Sequence, residues 1–294
     1  METALPPERL RAEANRLQQR LAEVLGDVWT ELPANIRVSS ERALACSEFI
    51  VQACIRDAGI YSQPGTLQDV INAGAPGKRV RAALTLAPDE PALIAALRAQ
   101  RRREMLRIAW RDLAGWASLE ETLHNLSDLA DACIAGALTA LSRWHSERYG
   151  LARNAHGEPQ SLVVLGMGKL GARELNFSSD IDLIFAYPDN GQSDGERPLD
   201  NEEYFSRLGQ RLIRVLDQVT EDGFVFRVDM RLRPFGEAGP LAMSFAALET
   251  YYQNHGREWE RYALIKARPV AGDLTHGDAL LETLRPFVYR RYLD

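Results

Sequence analysis

Hydrophobic residues recur every three or four positions through the first half of the chain, and this spacing constrains the fold most. The segment PALIAALRAQRRREMLRIAWRDLAG carries Leu93, Ile94 and Leu97 at helical spacing. After Gly115 a longer apolar stripe would lie on one face of a single helix: Leu119, Leu123, Leu126, Ala130, Ile134, Leu138 and Leu141. The spacing predicts successive helices and an all-α domain over residues 1–155.

The pattern changes at the polar stretch ARNAHGEPQ, which contains Gly157 and Pro159. Beyond it, three apolar runs are typical of strands: SLVVLG, DIDLIFAYP and FVFRVDMRL. Helical segments KLGAREL and EEYFSRLGQRLIRVLDQV separate them, and a further helix begins near Phe245. The order β, α, β, α, β predicts an α+β domain, a small mixed sheet with helices, over 156–275. Residues 276–294 are expected to begin a following helical region.

Composition and charge argue against several classes of protein. The 41 acidic and 35 basic residues give a net charge of -6, which disfavours a broad cationic surface for nucleic acid. The three cysteines have no metal-ligand spacing and make no disulfide framework, which favours a reducing cytoplasm. The amino terminus lacks the pattern of a signal peptide, and no apolar stretch is long enough for a membrane span. We therefore expect a cytoplasmic protein without a nucleic-acid or membrane partner.

Three aspartates are the candidate metal ligands and catalytic residues. Asp180 and Asp182 are two apart in an apolar strand, so alternation predicts both carboxylates on one face. Asp229 lies in the later strand FRVDMRLRP. Like charges beside a core need a compensating cation, and Mg²⁺ favours oxygen ligands. Three aspartates can bridge two ions for displacement at phosphorus. The alternative is that the Asp-x-Asp pattern marks a solvent-facing strand edge or a turn.

The run LGMGKLGAREL lies between a strand and a helix, where a glycine-rich turn can bind phosphate through backbone N–H groups. Gly166, Gly168 and Gly171 permit close approach of the backbone, and Lys169 adds a positive charge. The run is not a Walker motif, and the next strand follows too soon for a dinucleotide-binding unit. The alternative is that the glycines only close a tight turn.

Polar side chains next to the aspartates are candidates for binding phosphate. Arg231 and Arg233 follow Asp229 at alternate positions and would share its face in a strand, although they could also form a solvated edge. Ser178 and Ser179 precede the first two aspartates and would bond phosphate or end the turn. Three further cations occur in WERYALIKARP, where solvation is the alternative to a role in the site: Arg261, Lys266 and Arg268.

The order of strand, glycine turn, helix, Asp-x-Asp strand and later single-Asp strand matches the polymerase-β-like nucleotidyltransferase superfamily. The segments GMGKLGARELNFSSDIDLIFAYP, VDMRLRPFGEAGPLAMSFAALETYY and GREWERYALIKARPVAGD resemble glutamine synthetase adenylyltransferases. Upstream, ACSEFIVQAC and IAWRDLAG also resemble that family. Ala172 departs from the family pattern, which usually has a second glycine there. The resemblance implies that this chain is a fragment of a longer enzyme without the adenylylating and regulatory parts.

Family members carry two related nucleotidyltransferase domains. The motifs NFSSDIDLIF and VDMRLRPFGEAGP resemble those of the amino-terminal, adenylyl-removing domain. The resemblance therefore implies phosphorolysis of tyrosyl-O-AMP on glutamine synthetase, with phosphate as attacking group and ADP as product. It also implies two Mg²⁺ ions, with Mn²⁺ as an alternative, and regulation of the full-length enzyme by PII signal protein and glutamine. The alternatives are ATP-dependent adenylylation, a nucleic-acid nucleotidyltransferase, and a non-catalytic domain that binds a nucleotide or a partner.

Overall fold

The computed structural model describes residues 8–72 and 74–289. The chain forms two compact units, which are Met1–Pro76 with Gln100–Leu126, and Gly77–Ala99 with Ser127–Asp294. None of the described helices combines the length and the apolar character needed to cross a membrane.

All regular structure described before residue 150 is helical, as the apolar spacing predicts. The helices are α1 Glu8–Leu25, α2 Asp27–Thr30, α3 Ala34–Cys46, α4 Glu48–Arg56, α5 Ala58–Tyr61, α6 Thr66–Asn72, α7 Gly77–Thr85, α8 Glu90–Leu113 and α9 Leu119–Tyr149.

The first unit combines an apolar core with a buried polar cluster. Trp110 is fully buried in that core, and its Nε1 donates a hydrogen bond to Ser39 Oγ at 3.0 Å. Close to it in sequence, Arg107 Nε donates to Glu104 Oε2 at 2.7 Å, and Arg107 also donates to Asn125. Both members of the ion pair are almost inaccessible to solvent, so each contributes to compensating the buried charge of the other.

The second unit contains the strands and the remaining helices. The strands are β1 Ala152–Asn154, β2 Val163–Gly166, β3 Ile181–Tyr187, β4 Gly191–Ser193, β5 Val228–Asp229, β6 Ala242–Ser244 and β7 Arg268–Gly272. The helices are α10 Gly168–Gly171, α11 Asn201–Asp217, α12 Phe245–Asn254, α13 Glu258–Ile265 and α14 Leu274–Val288, with a short 3-10 helix at Gly236–Ala238.

Five strands form a mixed sheet in the order β5-β3-β2-β7, with β6 also paired to β3. β2 runs antiparallel to both β3 and β7, whereas β5 and β6 run parallel to β3 at its two ends. β1 and β4 form a separate antiparallel pair. The end of β2 and the start of β3 therefore meet at the same edge of the sheet.

Alternating side chains of β2 and β3 enter different cores. Leu165 and Ile184 lie on the face that packs against α12 and α14. Phe185 points to the other face, where a Cβ atom on Gly209 of α11 would stand 2.7 Å from Phe185 Cδ2. Since only a hydrogen occupies that position in α11, the helix can approach the Phe185 ring closely.

Side-chain caps define where three of these helices begin. The carboxylate of Asp200 accepts the N–H of Glu203 at the start of α11, and Asp273 accepts the N–H of His276 at the start of α14. Ser244 caps α12 in the same way. Each cap satisfies a backbone donor that the first turn of a helix leaves unpaired.

The strands predicted at 161–166 and 180–188 are confirmed as β2 and β3, and the small mixed sheet with helices is confirmed. The strand predicted over 224–232 is wrong in length, because only Val228–Asp229 pairs with β3. The N–H groups of residues 225 and 226 bond instead to the end of α11. The helix predicted over 169–175 is likewise limited to the four residues of α10.

The compact units divide the chain elsewhere than the domain limits predicted at 155/156 and 275/276. Within the second unit, Ser127 Oγ accepts the N–H of Leu175, so the later part of α9 is bonded to the segment after the glycine turn. α14 packs on the sheet through Leu280 and Leu284. A separate all-α domain and a following helical domain stay predictions, and residues 290–294 lie outside the described range.

Candidate active site

Two of the predicted aspartates lie side by side at the edge of the sheet. In the parallel pairing of β3 and β5, Ile181 is opposite Val228 and Asp182 is opposite Asp229. Neighbouring residues in register share a face, so the two carboxylates project to the same side. This pairing brings together groups that are 47 positions apart along the chain.

The close placement of these carboxylates disfavours the ionised form of Asp182 in particular. Burial raises the pKa of Asp182, and the charges of Asp229 and then Asp180 raise it further. The opposite holds for Asp229, where the hydrogen bonds from the Arg231 guanidinium keep the pKa below its usual range. Of the two paired carboxylates, Asp182 is therefore the one whose charge the fold leaves poorly compensated.

Asp180 lies one residue before β3 and is held by an arginine that the sequence analysis did not single out. Arg227 Nε donates to Asp180 Oδ1 at 2.5 Å, and its Nη2 lies 3.4 Å from the carbonyl of Ser178. Extending the β3–β5 register by one residue places Asp180 opposite Arg227. The sequence contains a hint of this pair, because Arg227 precedes Asp229 by the same two residues that separate Asp180 from Asp182. Using that hint requires knowing which residues of β3 and β5 lie opposite each other.

The glycine turn lies directly against this carboxylate pair. Gly168 has φ +52, and a Cβ atom there would stand 3.1 Å from Asp182 Oδ2. The N–H of Met167 donates to the carbonyl of Asp182 at 2.9 Å. At Gly171 a Cβ would stand 1.9 Å from the carbonyl oxygen of Lys266 and 2.5 Å from that of Gly166. These two positions require glycine for different reasons, backbone conformation at the first and close packing at the second.

Ala172, where the family pattern has glycine, has φ -76 and a right-handed helical conformation. An alanine is unstrained in that conformation. The next residue, Arg173, has φ +60 and donates to the carboxylate of Asp128. The substitution at Ala172 therefore leaves the path of the turn intact.

Lys169 and the two serines lie near the aspartates without forming a compact phosphate cradle. Lys169 is exposed, and its Nζ is 3.5 Å from Ser179 Oγ. Ser179 Oγ in turn donates to Asn176 Oδ1 at 2.6 Å and so closes the turn before β3. Ser178 is exposed, and its side chain has no hydrogen bond to the described part of the chain. Lys169 and Ser178 are thus accessible to a ligand.

Arg268 fastens the far end of the glycine turn. Its guanidinium donates to the carbonyls of Leu170 and Gly171 at 3.1 and 3.2 Å, and it pairs with Asp131 at 2.9 Å. Of the other two cations in its segment, Lys266 pairs with Glu174 at 2.6 Å and Arg261 with Glu258. Arg268 is thus a support for the turn, and the sequence did not reveal its partner in α9.

The predicted shared face of Asp229, Arg231 and Arg233 is wrong, because the chain turns immediately after Asp229. Asp229 Oδ1 accepts the N–H of Arg231 at 2.8 Å, and this side-chain to backbone bond starts a turn two residues ahead. Arg231 nevertheless reaches the site, since its Nε donates to Asp229 Oδ2 at 2.8 Å. Arg233 instead donates to the carbonyls of Met230 and Glu237 and closes the turn.

The carboxylates are arranged to supply a divalent cation with two protein ligands rather than with a complete set. Among the residues described, no group of three or more Asp, Glu, His or Cys side chains is arranged to hold a metal ion. Asp180 and Asp229 are hydrogen-bonded to arginines, whereas the charge of Asp182 is offset only in part, by the nearby Arg231. Mg²⁺ is commonly held by one or two carboxylates together with substrate phosphates. The donor set therefore suits an ion that arrives with a phosphate-bearing ligand.

A small mixed sheet, covered by helices and with paired aspartates beside a glycine turn at its edge, is the arrangement of a nucleotidyltransferase domain. Residues 39–283 match the sequence model of the family described as glutamate-ammonia ligase adenylyltransferase. The chain belongs to that family.

Similar proteins carry the name bifunctional glutamine synthetase adenylyltransferase/adenylyl-removing enzyme. The one from Thioalkalivibrio sulfidiphilus is 59% identical over 256 residues, which cover 86% of this chain and 26% of that protein. Those from Pseudomonas aeruginosa and Shewanella loihica are 55% and 45% identical, over 86% and 100% of this chain and 26% and 31% of theirs. The chain thus spans between a quarter and a third of the length of these relatives.

Proposed function

We propose that this chain removes AMP from a tyrosine of glutamine synthetase by phosphorolysis. An oxygen of inorganic phosphate attacks the phosphorus of tyrosyl-O-AMP, and the bond from that phosphorus to the phenol oxygen breaks. The products are ADP and the tyrosine, whose phenolate takes up a proton. The observation that carries the proposal is the in-register pair Asp182 and Asp229, with Asp180 beside it, against the glycine turn.

The aspartates are the residues that would hold two divalent cations, Mg²⁺ or Mn²⁺. Bound in that position, the cations supply positive charge to the phosphate oxygens and to the leaving phenolate, whose ordinary pKa is about 10. Asp182 and Asp229 project from the same face of the sheet, so they would contact a cation from the same side. Asp180 extends the same row of carboxylates toward Arg227.

The phosphate-bearing groups would lie between the glycine turn and the turn after β5. Gly168 keeps the space beside Asp182 free of a side chain, whereas a Cβ on Gly166 would meet Val270 and Leu170. The exposed Lys169 supplies a positive charge. Arg231 is largely exposed at the other side of the aspartates and can exchange its carboxylate for a phosphate oxygen. Arg233 supports this turn from behind.

The direction of the reaction rests on the motifs NFSSDIDLIF and VDMRLRPFGEAGP, which resemble the adenylyl-removing copy of the family. ATP-dependent adenylylation is the second candidate, since the names of the relatives contain both activities. Regulation by PII signal protein and glutamine is part of the proposal only for a full-length enzyme.

The test is incubation of the purified chain with adenylylated glutamine synthetase, Mg²⁺ and phosphate, with measurement of ADP. We expect ADP to form in proportion to the AMP lost from the substrate. A chain that releases no ADP but transfers AMP from ATP to unmodified glutamine synthetase would show the reverse activity. A chain with neither activity that still binds the substrate would be a binding domain.

Matched variants separate the site from general effects of charge. Asp182→Asn and Asp229→Asn each remove one candidate ligand and should abolish ADP release. Asp278→Asn removes the same charge from an exposed position on α14 and should leave the rate unchanged. Full activity of Asp182→Asn would refute the carboxylate site.

A further inference from the structure

A second cavity is lined by none of the three aspartates, and four of its nine lining residues are arginines. It has a volume of about 440 Å³ and lies among the start of α8, the end of α9 and the middle of α11. Arg207, Arg211 and Arg214 line it from α11, where positions four and three apart lie on the same helix face. Arg148 of α9 is the fourth. None of these residues belongs to the sheet-edge site.

The carboxylates around this cavity compensate only part of its charge. Glu90 accepts hydrogen bonds from Arg211 at 2.9 Å and from Arg214 at 2.5 Å. Arg207 is paired with Glu203 on its own helix. Four guanidinium groups thus meet two carboxylates, in a chain whose net charge is -6. The surplus positive charge is concentrated here against the overall balance of the protein.

Arg148 has no ion pair within the described part of the chain, and its guanidinium lies 5.1 Å from the centre of the Tyr149 ring. Arg207 approaches the same ring at 5.7 Å and donates to the Tyr149 hydroxyl at 3.2 Å. The aromatic ring therefore holds two guanidinium groups near each other at the cavity wall. Two planar cations kept close together are suited to an anion that accepts hydrogen bonds from both.

His145 provides an independent sign of a ligand. Its side chain lines the cavity and is only 1% exposed, and neither ring nitrogen has a hydrogen-bond partner of ordinary geometry. The backbone of Tyr204 lies near the ring and only partly offsets the lowering of its pKa. The ring packs between Tyr149 and Tyr204, at centroid distances of 4.8 and 4.4 Å. Burial, together with the nearby Arg211, lowers the pKa of His145 to about 4, so the ring is neutral and has one N–H to donate. Leaving a buried polar group without a hydrogen bond is unfavourable, so a buried and unpaired ring N–H indicates a missing partner.

We propose that this cavity binds a small molecule carrying two or more phosphate groups. Guanidinium groups bind phosphate oxygens bidentately, and the four arginines supply enough donors for more than one phosphate. The volume lies in the range of about 300–1,000 Å³ typical of small-molecule sites. The proposal is independent of the reaction at the sheet edge.

The test uses tripolyphosphate and ADP as probes in isothermal titration calorimetry, with EDTA present to remove divalent cations. We expect the unmodified chain to bind tripolyphosphate, and Arg148→Gln to weaken binding at least tenfold. Since Arg148 makes no ion pair, this variant should keep the thermal unfolding midpoint of the parent. Arg207→Gln is the second variant, and Arg285→Gln on the exposed face of α14 is the control of equal charge change.

The outcomes distinguish this cavity from the glycine turn. Binding that survives in Asp182→Asn and Lys169→Gln but weakens in Arg148→Gln and Arg207→Gln supports the second site. Tighter binding of ADP than of tripolyphosphate identifies a nucleotide, and the reverse identifies a polyphosphate chain. No binding of either probe, or equal loss in Arg285→Gln, would overturn the proposal, as would loss confined to Lys169→Gln.

Discussion

Replacing Gly171 by alanine is the most direct test of how the glycine turn supports the site. A Cβ at this position would stand 1.9 Å from the carbonyl oxygen of Lys266, whereas ordinary contacts begin at 3.4 Å. The turn and the Lys266 backbone must therefore separate by about 1.5 Å, a difference of those two distances. Neither atom belongs to a flexible side chain, so the strain moves the backbone that carries Gly168 and Lys169.

The size of the effect follows from this displacement. Overpacking of a tight site costs about 1–3 kcal/mol, and a unit of this size loses roughly 2–4 °C in its unfolding midpoint per kcal/mol. We therefore expect Gly171→Ala to unfold about 2–12 °C lower than the parent. A displacement of about 1 Å in a catalytic group can reduce the rate about 100-fold. We expect a loss of that order in kcat/KM for ADP release.

The assays are thermal unfolding followed by circular dichroism and the ADP-release measurement at 10 °C below the variant's midpoint. Gly59→Ala is the control, because a Cβ on Gly59 meets nothing within 4 Å and its φ is not positive. Ala172→Gly restores the family residue beside the turn and should change kcat/KM less than about threefold, since Ala172 is unstrained. If Gly171→Ala matched Gly59→Ala in both assays, the close packing of the turn would be refuted.

Three further outcomes follow from the charges. Burial and neighbouring carboxylates raise the pKa of Asp182, so its ionised form destabilises the folded chain above that pKa. Metal-free Asp182→Asn should unfold at a higher temperature than the parent at pH 7, and the difference should vanish below the ordinary pKa of about 3.9. Arg227→Gln removes the arginine that is paired with the exposed Asp180. The Mg²⁺ concentration for half-maximal ADP release should therefore fall about two- to fivefold, because the cation no longer competes with the arginine. A rise in that concentration would contradict this competition. Glu104→Gln leaves the charge of Arg107 buried and should lower the free energy of unfolding in urea by about 3–5 kcal/mol, and an unchanged midpoint would contradict the buried pair.

The order of strands and helices was readable from the sequence where an element is long and has a regular apolar pattern. β3 and α11 were predicted to within one or two residues, since each combines a clear period with polar limits. β6 and β7 were not predicted, because they are short and depend on pairing with distant strands. β7 even contains Pro269, which its place at the edge of the sheet tolerates.

The residue types of the site were predicted, but not their neighbours across the sheet. The alternation rule places Asp180 and Asp182 together, yet it does not state that Asp182 lies opposite Asp229. That fact depends on the register of a two-residue strand. The same rule failed for Arg233, because the carboxylate of Asp229 captured a backbone N–H and ended the strand. Side chains that end a strand by bonding their own backbone are hard to distinguish from strand residues by period alone.

The arginines around the aspartates offset part of the charge that three neighbouring carboxylates bring together. Arg227 and Arg231 compensate the outer two, and both are mostly exposed, with 60% and 76% of their side chains accessible. Exposed ion pairs contribute little to stability, so a divalent cation entering with phosphate can take their place at small cost. Asp182 has no such arginine of its own and lies closest to the glycine turn. The fold thus pairs Asp180 and Asp229 with exposed arginines that a cation could replace, and leaves Asp182 as the carboxylate whose charge is least compensated.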